Sequence, residues 1–197
     1  MWFPPRCPVC DRLGAAPCAA CVALLTDVSG ALWRLPGVDA GSAALRYDGP
    51  ARRLVTGLKY RGNRAVLTWV ADRLLPAVHF GAIGGADVVT WAPTSTLRRR
   101  ARGYDQAEEL ARLLGRRAGV PCRPLLRRVP GPGLTGRTRR DRVGAVAFVP
   151  LRAVAGTVLV VDDVVTTGTT LCAAAASLRT AGATRVVAAV AARVPPW

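Results

Sequence analysis

The chain has 197 residues, 51% of them hydrophobic and 20% charged, with a formal net charge of +16, a globular composition rather than a disordered one. Its length suits one main domain with a small appended module. No apolar run approaches the roughly 20 residues a bilayer crossing requires, and the opening "MWFPPRCPVC" lacks the basic and apolar regions of a secretory signal, so a cytoplasmic protein without membrane insertion is expected.

The charge is uneven. Residues 1–50 hold four Arg and four Asp, so the excess lies in residues 51–197, and residues 98–142 alone hold 14 Arg against Asp105, Glu108, Glu109 and Asp141. Arginine identity follows from a chain with a single lysine, Lys59; arginine clustering does not, and it favours polyanions such as phosphate, pyrophosphate or nucleic acid.

The first pattern along the chain is C-x2-C-x7-C-x2-C, made by Cys7, Cys10, Cys18 and Cys21. Each C-x-x-C turn presents two sulfurs to one side, so four thiolates converge on a tetrahedral ion, and Zn2+ in a closed structural site is the natural occupant. Two disulfides are the alternative, disfavoured by a reducing compartment. Cys122 and Cys172 read as small packing residues. The module is assigned to residues 1–35 and the main domain to residues 43–197.

A Gly/Pro-bearing link at 35–42 leads to the strand "AALRYD". Leu67, Val70, Ala71, Leu74, Leu75 and Val78 then fall at helical spacing, predicting a helix over 63–79 with Pro76 threatening a kink. "VVTWAP" reads as a buried strand stopped by Pro93. Asp105 followed by Glu108 forms a capping box for a helix ending near Gly119. Residues 129–144 lose periodicity and read as a long loop. "TVLVV" (157–161) is a second buried strand, 171–181 a helix closed by Gly182, and "RVVAAVAARV" a third strand. Continuous apolar strands alternating with helices predict an α/β fold with a parallel sheet flanked by helices.

Within "VLVVDDVVTTGTTL" (158–171), a buried strand runs into two adjacent carboxylates and then a threonine-glycine tract that opens a helix. Ligands of parallel sheets bind beyond the carboxyl ends of the strands. A helix N-terminus preceded by glycine and hydroxyls suits a phosphate; carboxylates are acceptors, so they require sugar hydroxyls or Mg2+. Phosphate and vicinal diol together describe a ribose 5-phosphate.

Those residues resemble the 5-phosphoribosyl 1-diphosphate (PRPP) motif of type I phosphoribosyltransferases. With the four cysteines, "GLKYRGNRAVL" (57–67) and "RRRARGYDQAEELARLLG" (98–115), the chain from Cys7 to about Ala192 resembles the ComF family of competence-associated, phosphoribosyltransferase-like proteins. The resemblance implies a type I phosphoribosyltransferase fold, with Asp162 and Asp163 holding the ribose 2′ and 3′ hydroxyls. Val165, Thr166, Thr167, Gly168, Thr169 and Thr170 would cradle the 5-phosphate, and residues 93–97 would form a pyrophosphate loop. Arg98, Arg99, Arg100 and Arg102 would lie near the leaving pyrophosphate, with Arg98 and Arg102 joining Asp162 and Asp163 as the catalytic set. Residues 129–144 would be a hood closing over Mg2+-PRPP. Gly131 ahead of Gly133-Leu134, and Asp141-Arg142-Val143, depart from the family pattern, so the acceptor is not implied.

No general base stands out: His79 reads as a packing or surface residue, Tyr104 and Gln106 are polar residues after the pyrophosphate loop beside a capping Asp105, and Lys59 with Tyr60 reads either as a phosphate or nucleotide contact or as solvated surface. The alternative function is single-stranded DNA handling through the basic stretch 98–142, whose affinity would fall steeply with salt. The resemblance also implies a role in DNA uptake, with a helicase-like protein as a possible partner for the cysteine module.

Overall fold

The computed structural model describes residues 5–61, 64–130 and 146–195. Its centre is a five-stranded sheet in the order β1 (Leu32–Leu35), β2 (Val38–Arg46), β7 (Arg185–Arg193), β6 (Thr157–Val165), β3 (Val88–Trp91). All neighbours are parallel except the β1–β2 hairpin at one edge.

Period-two alternation in the two central strands divides the apolar residues between two cores. Leu159, Val161, Val187, Ala189 and Ala191 face one side, under α2 (Gly49–Arg61), α3 (Arg64–Phe80) and α5 (Gln106–Ala118). Val158, Val160, Val186, Ala188 and Val190 face the other, under α6 (Thr169–Thr180). An antiparallel ribbon, β4 (Leu126–Pro130) with β5 (Val146–Pro150), lies on the α6 side, and its Leu126 and Phe148 enter that core. A one-turn helix, α1 (Ala19–Val22), belongs to the cysteine module, and α4 (Thr96–Arg102) follows β3. Among the described residues no helix is long and apolar enough to cross a membrane.

Several expectations change. The link at 35–42 is a hairpin: β2 begins at Val38, and Leu32 and Trp33 pair with Ser42 and Gly41. Residues 32–42 therefore belong to the main sheet, and the boundaries drawn at 35 and 43 cut through it. Helix α2 went unread although Ala51, Leu54, Val55 and Leu58, all buried, hold helical spacing. Helix α3 continues through Pro76, which sits on the exposed side one turn from the helix end, where few backbone bonds are forfeited. The predicted loop at 129–144 begins inside strand β4; the rest of it, including Gly131, Gly133, Leu134, Asp141, Arg142 and Val143, lies outside the described residues.

Candidate functional site

The paired carboxylates do not follow the strand; they lie within it. Strand β6 runs to Val165, bonded along β7 as far as the Val165–Arg193 pair, whereas its other neighbour, β3, pairs only to Trp91, opposite Val161. Pro93 turns that chain away. Asp162 and Asp163 therefore stand where β6 outruns β3, and there a cleft of about 240 Å³ opens. The backbone N–H of Asp163 donates to Asp162 Oδ1 at 2.8 Å.

Three elements complete the walls. From the turn after β6 come Val164, Thr166 and Thr170. A small adjoining cavity of about 30 Å³ is lined by Asp162, Val164, Val165, Thr166, Thr167, Gly168, Thr169 and Thr170. Here Gly168 is the N-cap of α6 at φ 79° and has no side chain of its own to cap it, while Thr167 Oγ1 accepts from the Thr169 N–H at 3.5 Å. First-turn N–H groups of a helix lack intrahelical partners, so this end offers donors and a positive dipole to an anion. Glycine is required twice over: φ is positive, and a Cβ would meet Leu35 Cδ1 of the β1 hairpin at 2.7 Å. Thr167 and Thr169 hydroxyls lie 2.9 Å apart.

The second wall is the segment between β3 and α5. Ser95 caps α4, accepting from the Arg98 N–H at 3.3 Å. Arg98 and Arg102, four residues apart on one helix face, both line the cleft with Pro93 and Thr94. Arg99 turns away to Glu108, at 3.2 Å, and Arg100 is exposed outside the cleft lining. Of the four arginines expected near a pyrophosphate, the fold thus brings two to the cleft. Asp105 holds this wall together: it is 4% exposed, and accepts from Thr94 N–H at 2.8 Å and Ala107 N–H at 3.1 Å. Burial pushes its carboxyl above the ordinary value, while the N–H groups of Thr94, Glu108 and Ala107 pull it back. Asp105 caps α5 as expected, but Glu108 bonds Arg112 at 2.9 Å as well as Arg99.

Sequence reasoning missed two lining residues, Arg128 and Tyr47. Arg128 comes from β4, half-buried, with Nη1 donating to Pro93 O at 3.4 Å and the guanidinium 5.9 Å from the Phe148 ring centroid. Burial and the nearby Arg98 lower its pKa, against the pull of Asp162 and Asp105. Gln106 accepts from Arg102 at 3.1 Å, and Tyr47 closes the far side. Only the ribbon's pairing reveals Arg128, because β4 carries no periodic signal of its own. His79 is exposed against Phe80. Lys59 and Tyr60 lie on α2, with side chains outside the described residues.

The four cysteines do converge: the sulfurs of Cys7, Cys10, Cys18 and Cys21 all lie within 4.8 Å of one another, with Cys10 and Cys18 3.7 Å apart. A tetrahedral zinc with bonds of about 2.3 Å has ligand edges of about 3.8 Å, so donor set and spacing fit Zn2+. Burial pushes the Cys7 thiol up, but N–H groups of Cys18, Cys10 and Val9 outweigh it and bring the value down to about 6. Burial and the other three sulfurs push Cys21 up to about 12. Cys122, at about 11 through burial, is a partly buried packing residue.

The model of the phosphoribosyl transferase domain matches residues 152–195, the part of the chain that holds β6, the threonine turn, α6 and β7. The chain is similar to the solved structure of the allosteric regulatory enzyme of purine biosynthesis, with a TM-score of 0.41 and 24% identity over 64% of this chain. It spans about a quarter, 26%, of that enzyme's chain. Orotate phosphoribosyltransferase from Aeropyrum pernix is similar at a TM-score of 0.40 and 24% identity, covering 82% of this chain and 75% of that one. No curated protein matches the sequence.

Proposed function

We propose that the protein binds Mg2+-PRPP in the cleft and transfers its phosphoribosyl group to an acceptor. One observation carries the reading: the N-terminus of α6, two carboxylates and three guanidiniums line two adjoining cavities that share Asp162, Val164, Thr166 and Thr170, at the carboxyl ends of parallel strands. In this reading the 5-phosphate seats on the N–H groups and hydroxyls of residues 166–170, and the ribose hydroxyls donate to Asp162 and Asp163. Arg98, Arg102 and Arg128 face the pyrophosphate. Asp162 and Asp163 are the carboxylates that would help hold Mg2+ with PRPP, and the ion would supply charge neutralisation to the leaving pyrophosphate.

Chemistry follows from that placement. The bond between the anomeric carbon and the pyrophosphate oxygen breaks, the oxygen keeps the electron pair, and the acceptor's lone pair forms the new bond as its proton departs. Fixed guanidiniums stabilise the departing charge without reorganisation, and fixing the donor lowers the entropic barrier. Resemblance to the ComF family supports a setting in DNA uptake.

Isothermal titration of zinc-loaded protein tests the proposal. Mg2+-PRPP should bind, and Asp162→Asn with Asp163→Asn should weaken it on the order of a hundredfold or more, the loss of two charge-assisted contacts. Single-stranded DNA is the second titrant. DNA binding without any PRPP heat in the unmodified protein refutes the transferase reading in favour of DNA handling.

A further inference from the structure

The cysteine module and the cleft are separate features, but one helix touches both. Pro8, between Cys7 and Cys10, seats against α2 at Gly57 so closely that a Cβ added there would lie 2.2 Å from Pro8 Cβ. Val9 packs into the core that holds Ala51, Leu54, Val55 and Leu58 of the same helix. One residue beyond Gly57, the carbonyl of Leu58 accepts the hydroxyl of Tyr104.

That bond has a physical reason. Leu58 lies in the last described turn of α2 and is 2% exposed. A part-buried phenol hydroxyl requires a partner, and the Leu58 carbonyl accepts it. Tyr104 in turn sits between Arg102 and the pair Asp105-Gln106, all three on the cleft wall. The path from the first cysteine turn to the wall is continuous: proline on glycine, carbonyl to phenol, phenol to the α4–α5 corner.

We infer that Tyr104 is a positioning residue through which occupancy of the four-cysteine site and occupancy of the cleft strengthen each other. The inference rests on the PRPP reading above. A metal fixes the Cys7–Cys10 turn, which fixes Pro8 on Gly57 and hence the end of α2; Tyr104 then holds Arg102, Asp105 and Gln106 in register with the ligand. Linkage makes the effect reciprocal, since any factor by which Zn2+ tightens PRPP is the factor by which PRPP tightens Zn2+.

The test is a cycle on the full chain. PRPP affinity is measured by calorimetry with Zn2+ bound and after chelation, and Zn2+ affinity by chelator competition with and without Mg2+-PRPP. Both factors should agree and be on the order of fivefold or more. Tyr104→Phe, zinc-loaded, should bind PRPP as weakly as the metal-free chain and lose its response to zinc. Gly57→Ala, which displaces Pro8 while keeping all four cysteines, should show the same weakening at full zinc content.

Equal PRPP affinity in loaded and metal-free protein overturns the inference. Where chelation unfolds the main domain, the zinc-loaded Tyr104→Phe variant decides, and wild-type PRPP affinity in it overturns the inference. No PRPP heat in the loaded wild type is instead the failure of the underlying reading, whereas binding indifferent to zinc sinks the linkage alone.

Discussion

The two ends of the parallel sheet carry similar charges and use them differently. At the amino end, Arg34, Asp39 and Arg185 line an open depression of about 410 Å³, larger than the cleft at the carboxyl end. Yet two of those three charges are committed to the fold: Asp39 accepts from Arg179 at 2.5 Å and from Val186 N–H at 2.8 Å, and Arg185 donates to the carbonyls of Ala82 and Gly84. At the carboxyl end, Asp162 and Asp163 stand beyond the reach of β3, and arginines arrive from α4 and from the ribbon. Volume therefore does not single out the carboxyl-end cleft; the carboxylates and arginines brought together there do.

The largest effect that would sharpen this comparison lies at the carboxyl end. Replacing both Arg98 and Arg102 with alanine should lower PRPP affinity about tenfold or more per arginine, as expected for hydrogen bonds to charged groups, while leaving thermal stability nearly unchanged. A large drop in Tm with intact affinity would make these arginines structural and erase the contrast.

Asp39→Ala should do the reverse. Its ion pair with Arg179 is partly exposed and contributes little, but the Val186 N–H loses its acceptor, so stability should fall by about 1–2 kcal/mol. Denaturant unfolding measures that loss, and PRPP calorimetry on the same variant should match the unmodified protein. Weakened binding there would mean that the amino end reaches the ligand.

The smallest effect concerns pH. Burial raises the Asp105 carboxyl above its ordinary value of 3.8, so the folded chain keeps this proton to a higher pH than the unfolded one. Its contribution to stability is full below the unfolded value and declines as pH rises through the folded one. Asp105→Asn keeps a competent cap acceptor and should flatten that part of the stability curve. Identical slopes in urea midpoints would remove Asp105 as their source.

Much of the site is legible in one line of sequence. The run from Val158 to Thr170 shows a buried strand, acceptors and an anion-ready helix start because each depends on residues a few positions apart. The cysteine spacing is legible for the same reason. Helix α2 was equally readable from Ala51, Leu54, Val55 and Leu58, yet Gly49-Pro50 and Gly57 look like breakers. Residues 32–42 resemble a linker because a tight glycine turn follows the four-residue strand β1; the pairing of Trp33 with Gly41 shows the hairpin.

By itself, then, the sequence determined the alternation that splits β6 and β7 between two cores, the metal-ligand spacing and the chemistry of the turn at 166–170. Tertiary structure alone decided that β6 outruns β3, that Arg98 and Arg102 rather than Arg99 and Arg100 face the cleft, that Arg128 joins them, and that Tyr104 reaches Leu58. The physical reason is range: periodicity, caps and dipoles are set by near neighbours along the chain, whereas a cleft is set by where distant segments stop and meet.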